Sequence, residues 1–289
     1  MCDEHTADDN EAYLAGVSRR QFGVMTGAMG LTMLLPAPVN AAVIKGRDVS
    51  ITTPDGKADA YFVAPATGKH PGVLVWPDVM GLRPAFRQMA DRLAQSGYAV
   101  LVVNQFYRST KAPFLKPGES YDQPAVRARI APFRDALTAD GTVRDANAFT
   151  AFIDAQPQTD RKRGLATTGY CMGGPMVMRT AAAVPARYRA AATFHGGGFV
   201  TDTPDSPHLL IPQMKAQYLI AIAANDDARA PTEKDTLRTA FAAAKLPAEI
   251  EVYAGTMHGW CPPDSKVYNA AQADKAWARM LALFDKALV

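Results

Sequence analysis

Cysteine is scarce in this 289-residue chain: there are three, with no CxxC pair and no Cys/His grouping at zinc-ligand spacing. A disulfide scaffold and a structural zinc site are thereby excluded. An excess of charge is also lacking. The 31 Lys+Arg nearly balance 28 Asp+Glu, and a formal net charge of +3 leaves no electrostatic footprint for nucleic acid. No apolar run reaches the ~20 residues that a bilayer-spanning helix needs, and neither internal repeats nor low-complexity segments occur. The rest is ordinary: 48% hydrophobic and 20% charged residues, enough chain for one α/β domain with a sizeable core.

Charge is unevenly placed at the start. The first twenty residues hold Asp3, Glu4, Asp8, Asp9 and Glu11 against Arg19 and Arg20, and residues 21–41 hold no charge. Ser18-Arg19-Arg20-Gln21-Phe22 opens an uncharged stretch to Leu35, diluted by Gly23, Gly27 and Gly30 and ended by Pro36. Val39 and Ala41 follow as small residues in the pattern of a signal-peptidase site. The whole resembles a twin-arginine export signal, departing from it at Gly23-Val24, where such signals often carry Leu-Lys. A surface helix is disfavoured, because the stretch has no polar face and its glycines weaken it. The expectation is a leader over 1–41, recognised by the twin-arginine machinery, and a mature protein from Ala42 in a bacterial periplasm. Cys2 is expected to leave with the leader.

From there strands and helices alternate. Asp48–Thr53 and Ala58–Ala64 flank the turn Pro54-Asp55-Gly56, a hairpin signal. Gly72–Trp76 and Tyr98–Val103 are continuous apolar runs, as expected of strands buried on both faces. Between them, Ala85–Ser96 has helical periodicity and stops at Gly97. A long loop is expected over Tyr107–Asp122, then helices near Ala125–Leu137 and Thr142–Ala155. Further strands are expected at Leu165–Tyr170, Tyr188–Phe194, Gln217–Ala223 and Ile250–Tyr253, and a final helix over Asn269–Ala287. Strands separated by helices imply a mostly parallel sheet covered on both faces.

The chemistry gathers where strands end. Gly169-Tyr170-Cys171-Met172-Gly173-Gly174 is a G-x-nucleophile-x-G elbow with cysteine as the nucleophile. Its glycines let strand and helix pass close to a sharp turn, and the helix start offers the Met172 N–H to an oxyanion and favours a thiolate. A strand ending at Ala223 runs into Asn225-Asp226-Asp227, and one ending at Tyr253 runs into Gly255-Thr256-Met257-His258-Gly259. The order nucleophile, acid, histidine is that of α/β-hydrolases. A parallel sheet brings such loops to one edge.

From Val43 to its C-terminus the chain resembles the dienelactone hydrolases (carboxymethylenebutenolidases). The resemblance rests on Trp76-Pro77-Asp78-Val79-Met80-Gly81, Gln105-Phe106-Tyr107-Arg108, the elbow, Asp227 with Pro231 beyond it, and Gly255-Thr256-Met257-His258-Gly259. It implies an α/β-hydrolase fold and a Cys-His-Asp triad of Cys171, His258 and Asp227, with Asp226 the rival acid. The N–H groups of Val79 and Met172 would form the oxyanion hole, and Asp78 would support the thiol from a position where the family usually carries an acidic residue; an N-cap is its alternative role. Arg108 matches an arginine that holds the substrate carboxylate. A second arginine, four residues beyond the histidine in the dienelactone enzymes, is replaced by Pro262, with Arg83 a candidate substitute. Tyr107, His195 and Trp260 adjoin these motifs as candidate pocket walls. No metal or organic cofactor is implied.

The reaction so implied is hydrolysis of a small-molecule lactone or ester through an acyl-enzyme. A broad carboxylesterase or thioesterase on the same scaffold is the alternative, and the missing arginine favours it. A non-catalytic exported binding protein has no need of Cys171, Asp227 and His258 together. A thiol redox protein would need Cys261, three residues after His258, as partner for Cys171.

Overall fold

The computed structural model describes residues 4–16, 35, 38 and 41–289. Cys2, Arg19, Arg20 and the uncharged run through Leu34 lie outside the described residues. The expected strands all form, in one eight-stranded sheet. They are β1 (Ile44–Thr53), β2 (Gly56–Pro65), β3 (Gly72–Trp76), β4 (Ala99–Val103), β5 (Leu165–Tyr170), β6 (Tyr188–Phe194), β7 (Gln217–Ala223) and β8 (Ala248–Tyr253). Their order across the sheet is β1-β2-β4-β3-β5-β6-β7-β8. The β1–β2 hairpin is antiparallel and joins β4 antiparallel, while every pairing from β4 to β8 is parallel.

Position in the sheet explains composition. β3 and β4 lie centrally and are buried at every residue, which is why they read as unbroken apolar runs. β1, at one edge, is mostly exposed and carries Lys45, Arg47 and Asp48. Alternate residues of β3 serve opposite faces. Leu74 and Trp76 join one core with Phe149 and Ile153 of the helix Ala139–Ala155 and Val177 of the helix Gly173–Ala183. Val73 and Val75 join the other core with Phe86 and Met89 of the helix Pro84–Gln95 and Trp277 and Phe284 of the helix Ala270–Ala287. Trp76 also donates its indole N–H to Thr180 Oγ1 at 3.0 Å, so its one polar atom is satisfied in the core.

In chain order the helices are α1 (Glu4–Gly16), α2 (Pro84–Gln95), α3 (Pro124–Asp135), α4 (Ala139–Ala155), α5 (Gly173–Ala183), α6 (Ala224–Arg229), α7 (Glu233–Ala243) and α8 (Ala270–Ala287). Three of them, α1, α6 and α7, are not anticipated by the sequence reading, nor is a 3₁₀ segment over Pro207–Gln213. α6 is too short to show a period, and α1 falls inside the expected leader. Among the described residues no helix is long and apolar enough to cross a membrane. Because β3 to β8 run parallel, the residues following β3, β5, β6, β7 and β8 emerge on one edge.

Candidate active site

Only Cys171 and Met172 separate β5 from α5, so the chain must reverse within two residues. Cys171 does so with φ of 54°, a left-handed conformation that costs a residue with a side chain roughly 1–3 kcal/mol. Two backbone bonds hold it there: its N–H donates to Phe194 O at 3.0 Å, and its carbonyl accepts from Gly174 N–H at 3.0 Å. The flanking glycines are steric requirements. A Cβ at Gly169 would lie 2.4 Å from Gly173 O, and one at Gly173 would lie 2.4 Å from Trp76 O.

His258 stands on the loop after β8 and is buried. Its Nδ1 meets Asp226 Oδ2 at 2.7 Å, and its side chain also hydrogen-bonds Cys171. Its backbone N–H donates to Asn225 Oδ1 at 2.8 Å. Thr256 fixes the same loop by donating to Tyr253 O at 2.7 Å and accepting from Ala224 N–H at 3.3 Å. Burial opposes the imidazolium, but the neighbouring Cys171 thiolate and Asp226 carboxylate overcome it and raise His258 to about 10.

The carboxylate at the histidine is therefore Asp226, whereas the spacing to Pro231 points to Asp227. Both sit on α6, where consecutive side chains diverge by ~100°. Only one can face His258. Asp227 turns instead toward α7, pairing with Lys234 Nζ at 2.6 Å.

The backbone N–H groups of Val79 and Met172 donate to no acceptor among the described residues. Val79 lines the cavity, and Met172 immediately precedes α5. Gln105, at the end of β4, shapes the 77–79 segment by donating to Asp78 O at 2.7 Å. Asp78 is buried and is not a helix cap, since Arg83 occupies the N-cap position of α2. One Asp78 oxygen accepts Met80 N–H at 2.9 Å, and both accept Arg83, at 2.6 and 2.9 Å. Burial raises the Asp78 carboxyl above the usual range, against the pull of Arg83, and the Cys171 thiolate adds to the rise.

These groups face a cavity of about 520 Å³. Pro113, Leu115 and Tyr121, from the long loop before α3, form an apolar part of its lining. Thr6 and Asn10 of α1 line it too, and Asn10 Nδ2 lies 3.5 Å from His258 O. α1 is further tied to the acid-bearing helix: Asp9 accepts from Asn225 Nδ2 at 3.2 Å and pairs with Arg229. Nothing in the sequence reading places Thr6, Asp9 or Asn10 at the site.

His195 is where the sequence places it, on the cavity beside His258, with ring centroids 5.2 Å apart. Neither ring nitrogen has a hydrogen-bond partner among the described residues, and burial, then the charge on His258, holds the ring neutral. The expected carboxylate-binding Arg108 and the two other expected wall residues lie outside the cavity lining. Arg108 is bound by Asp145 at 2.8 Å and Asp55 at 2.5 Å, and Tyr107 lies between Thr53 and Asp145, 2.7 Å from each. Both lie outside the cavity lining because the hairpin tip and α4 capture them. Trp260 lies behind the cavity against His195, its indole N–H directed at Cys261 Sγ at 2.6 Å. Cys261 lines a separate small cavity with Tyr170 and Phe194. Neither Cys171 nor Cys261 forms a disulfide among the described residues, and burial raises the Cys261 thiol well above the usual range.

A mostly parallel sheet with this strand order, and with Cys171, Asp226 and His258 on one edge, defines an α/β-hydrolase-type fold. The sequence profile of the dienelactone hydrolase family matches residues 58–288, and the chain belongs to that family. It is 25% identical over 276 residues to the "Putative carboxymethylenebutenolidase" of Escherichia coli (strain K12), covering 92% of this chain and 96% of that protein. It is 32% identical over 130 residues to the carboxymethylenebutenolidase of Pseudomonas sp. (strain P51), covering 44% of this chain and 51% of that one. Among solved structures it is similar to the "Putative Dienelactone Hydrolase" from Klebsiella pneumoniae, with a TM-score of 0.71, 26% identity, and 84% and 99% of the two chains covered. The chain is thus a hydrolase acting on ester or lactone bonds.

Proposed function

We propose that Cys171 is the nucleophile of this hydrolase, with His258 as its acid and base and Asp226 as the carboxylate that orients the histidine. The thiolate attacks the carbonyl carbon of an ester or lactone, and the N–H groups of Val79 and Met172 receive the negative charge that develops on oxygen. Collapse expels the alcohol or enolate, which takes its proton from His258, and leaves a thioester on Cys171. Water then attacks the thioester while His258 accepts its proton, releasing the acid and the free enzyme. His195, neutral and with no hydrogen-bond partner on either ring nitrogen among the described residues, can donate to or accept from bound substrate.

The observation that carries this reading is the hydrogen-bonded line from Cys171 through His258 to Asp226, beside two uncommitted backbone N–H groups. A broader carboxylesterase is favoured as the second reading by the placement of Arg108 outside the cavity. We also propose that residues 1–41 form a twin-arginine leader and that the domain from Ala42 works in the periplasm. The test is hydrolysis of a dienelactone and of a neutral nitrophenyl ester by the reduced protein, beside Cys171→Ala. Turnover lost in the variant supports the nucleophile, and equal turnover in both proteins overturns it.

A further inference from the structure

Arg83 is the only arginine on the cavity lining among the described residues, and it is buried. A guanidinium has five N–H donors, and each is already spoken for. Nη1 donates to Asp78 Oδ1 at 2.6 Å and to Gly81 O at 3.3 Å, while Nη2 donates to Asp78 Oδ2 at 2.9 Å and to Asp264 Oδ1 at 2.9 Å. Nε donates to Asp264 Oδ2 at 2.6 Å. Two carboxylates therefore grip the two edges of one cation. The face of the guanidinium is covered as well, lying over the Phe86 ring at 4.9 Å.

The rest of the lining does not compensate. Its two lysines, Lys116 and Lys266, are exposed; Lys116 stands beside Glu119, and Lys266 pairs with Asp122 at 2.8 Å. Apart from the Cys171–His258 pair, four carboxylates (Asp78, Glu119, Asp122 and Asp264) face the cavity against three cations. A carboxylate on a substrate would find no open donor on Arg83 and would sit among like charges. To use the guanidinium it must evict an aspartate. Asp78 is buried and cannot be rehydrated, but Asp264 is 41% exposed and can.

We propose that Asp264 is a specificity-determining residue: by holding the second edge of Arg83 it withholds that guanidinium from substrate carboxylates and commits the cavity to uncharged esters and lactones. The substrate class rests on the hydrolase reading above, but the charge selectivity of the cavity does not.

The experiment compares two matched pairs in the wild type and in Asp264→Asn, which keeps the side-chain shape. The first pair is nitrophenyl butyrate and nitrophenyl hemisuccinate, equal in acyl length and differing by a terminal carboxylate. The second is iodoacetamide and iodoacetate, which alkylate the Cys171 thiolate with loss of iodide and report cavity charge without turnover; rates are normalised to the same pair on free glutathione. The wild type is expected to favour the neutral member of each pair by about tenfold or more, the worth of one charge-assisted hydrogen bond. Asp264→Asn should narrow both preferences by about tenfold. Equal or better use of the anionic members by the wild type overturns the proposal, and so does a preference that Asp264→Asn leaves unmoved. Should neither ester be hydrolysed while the alkylation ratios shift as expected, the catalytic reading fails and the charge selectivity stands.

Discussion

Two arginines in this molecule are held in nearly the same way. Arg83 lies between Asp78 and Asp264 with its face over Phe86, and Arg108 lies between Asp145 and Asp55 with its face over Tyr107. In each cluster one aspartate is buried and the other reaches water: 8% and 41% exposed around Arg83, 3% and 25% around Arg108. The surroundings differ. Arg83 follows β3 on the edge where parallel strands deliver Cys171, Asp226 and His258, whereas Arg108 ties the hairpin tip to α4. Chemistry alone does not separate a functional cluster from a structural one. What separates them is the strand end they occupy.

Substitutions should divide along that line. The largest effect is expected at the cavity edge, where Asp226→Asn should lower kcat by about a thousandfold or more with little change in Tm. Asp227→Asn, which breaks only a half-exposed pair with Lys234, should stay within about twofold. Steady-state kinetics on the two variants side by side separate the neighbours, and the reverse ranking would return the acid to Asp227.

Next comes Arg83→Ala, which strands the buried Asp78 and should cost about 3–5 kcal/mol in denaturant unfolding. Asp145→Ala should cost less, about 1–3 kcal/mol, because Arg108 keeps Asp55. Its kcat/KM per folded molecule should match the wild type. Lost turnover in a folded Asp145→Ala would break the comparison between the two clusters.

The pH dependence of stability sharpens it further. His258 is raised to about 10 in the folded protein, against ~6.5 for an ordinary histidine. Its contribution is therefore complete below ~6.5 and lost as pH climbs toward about 10. Urea midpoints should decline across that window in the wild type and less in His258→Gln. The smallest effect belongs to α1. Its Asp9 contacts with Asn225 and Arg229 lie at the surface and are worth about 1 kcal/mol, so removing residues 1–16 should raise kcat/KM for bulky acyl esters by about fivefold at most.

The sheet was largely legible in the residues because burial writes itself into composition. Gly72–Trp76 and Ala99–Val103 are apolar throughout since both faces are covered. The elbow was legible for a steric reason, as Gly169 and Gly173 leave no room for a Cβ. His195 directly follows β6 and His258 lies on the loop after β8, so strand ends visible in the residues bring both to one edge. Directions within a turn were not legible. Asp226 and Asp227 are adjacent and chemically alike, and only the helical rotation of α6 decides which meets the histidine. Tyr107 and Arg108 carry a family motif but are captured by Thr53, Asp55 and Asp145, up to 54 residues away in the chain. Asp264 sits in a loop and Asn225 in a helix too short to show a period, so their partners emerge only from the packing.

Turnover by this mechanism passes the acyl group through Cys171. Rapid acid quench of the reduced protein mixed with nitrophenyl acetate, followed by peptide mass mapping, tests it directly. An acetyl group on the peptide carrying Cys171, released by neutral hydroxylamine and absent from Cys171→Ala, is the predicted result. Continued turnover in Cys171→Ala, or an acetyl group that resides on another residue and turns over, would contradict it.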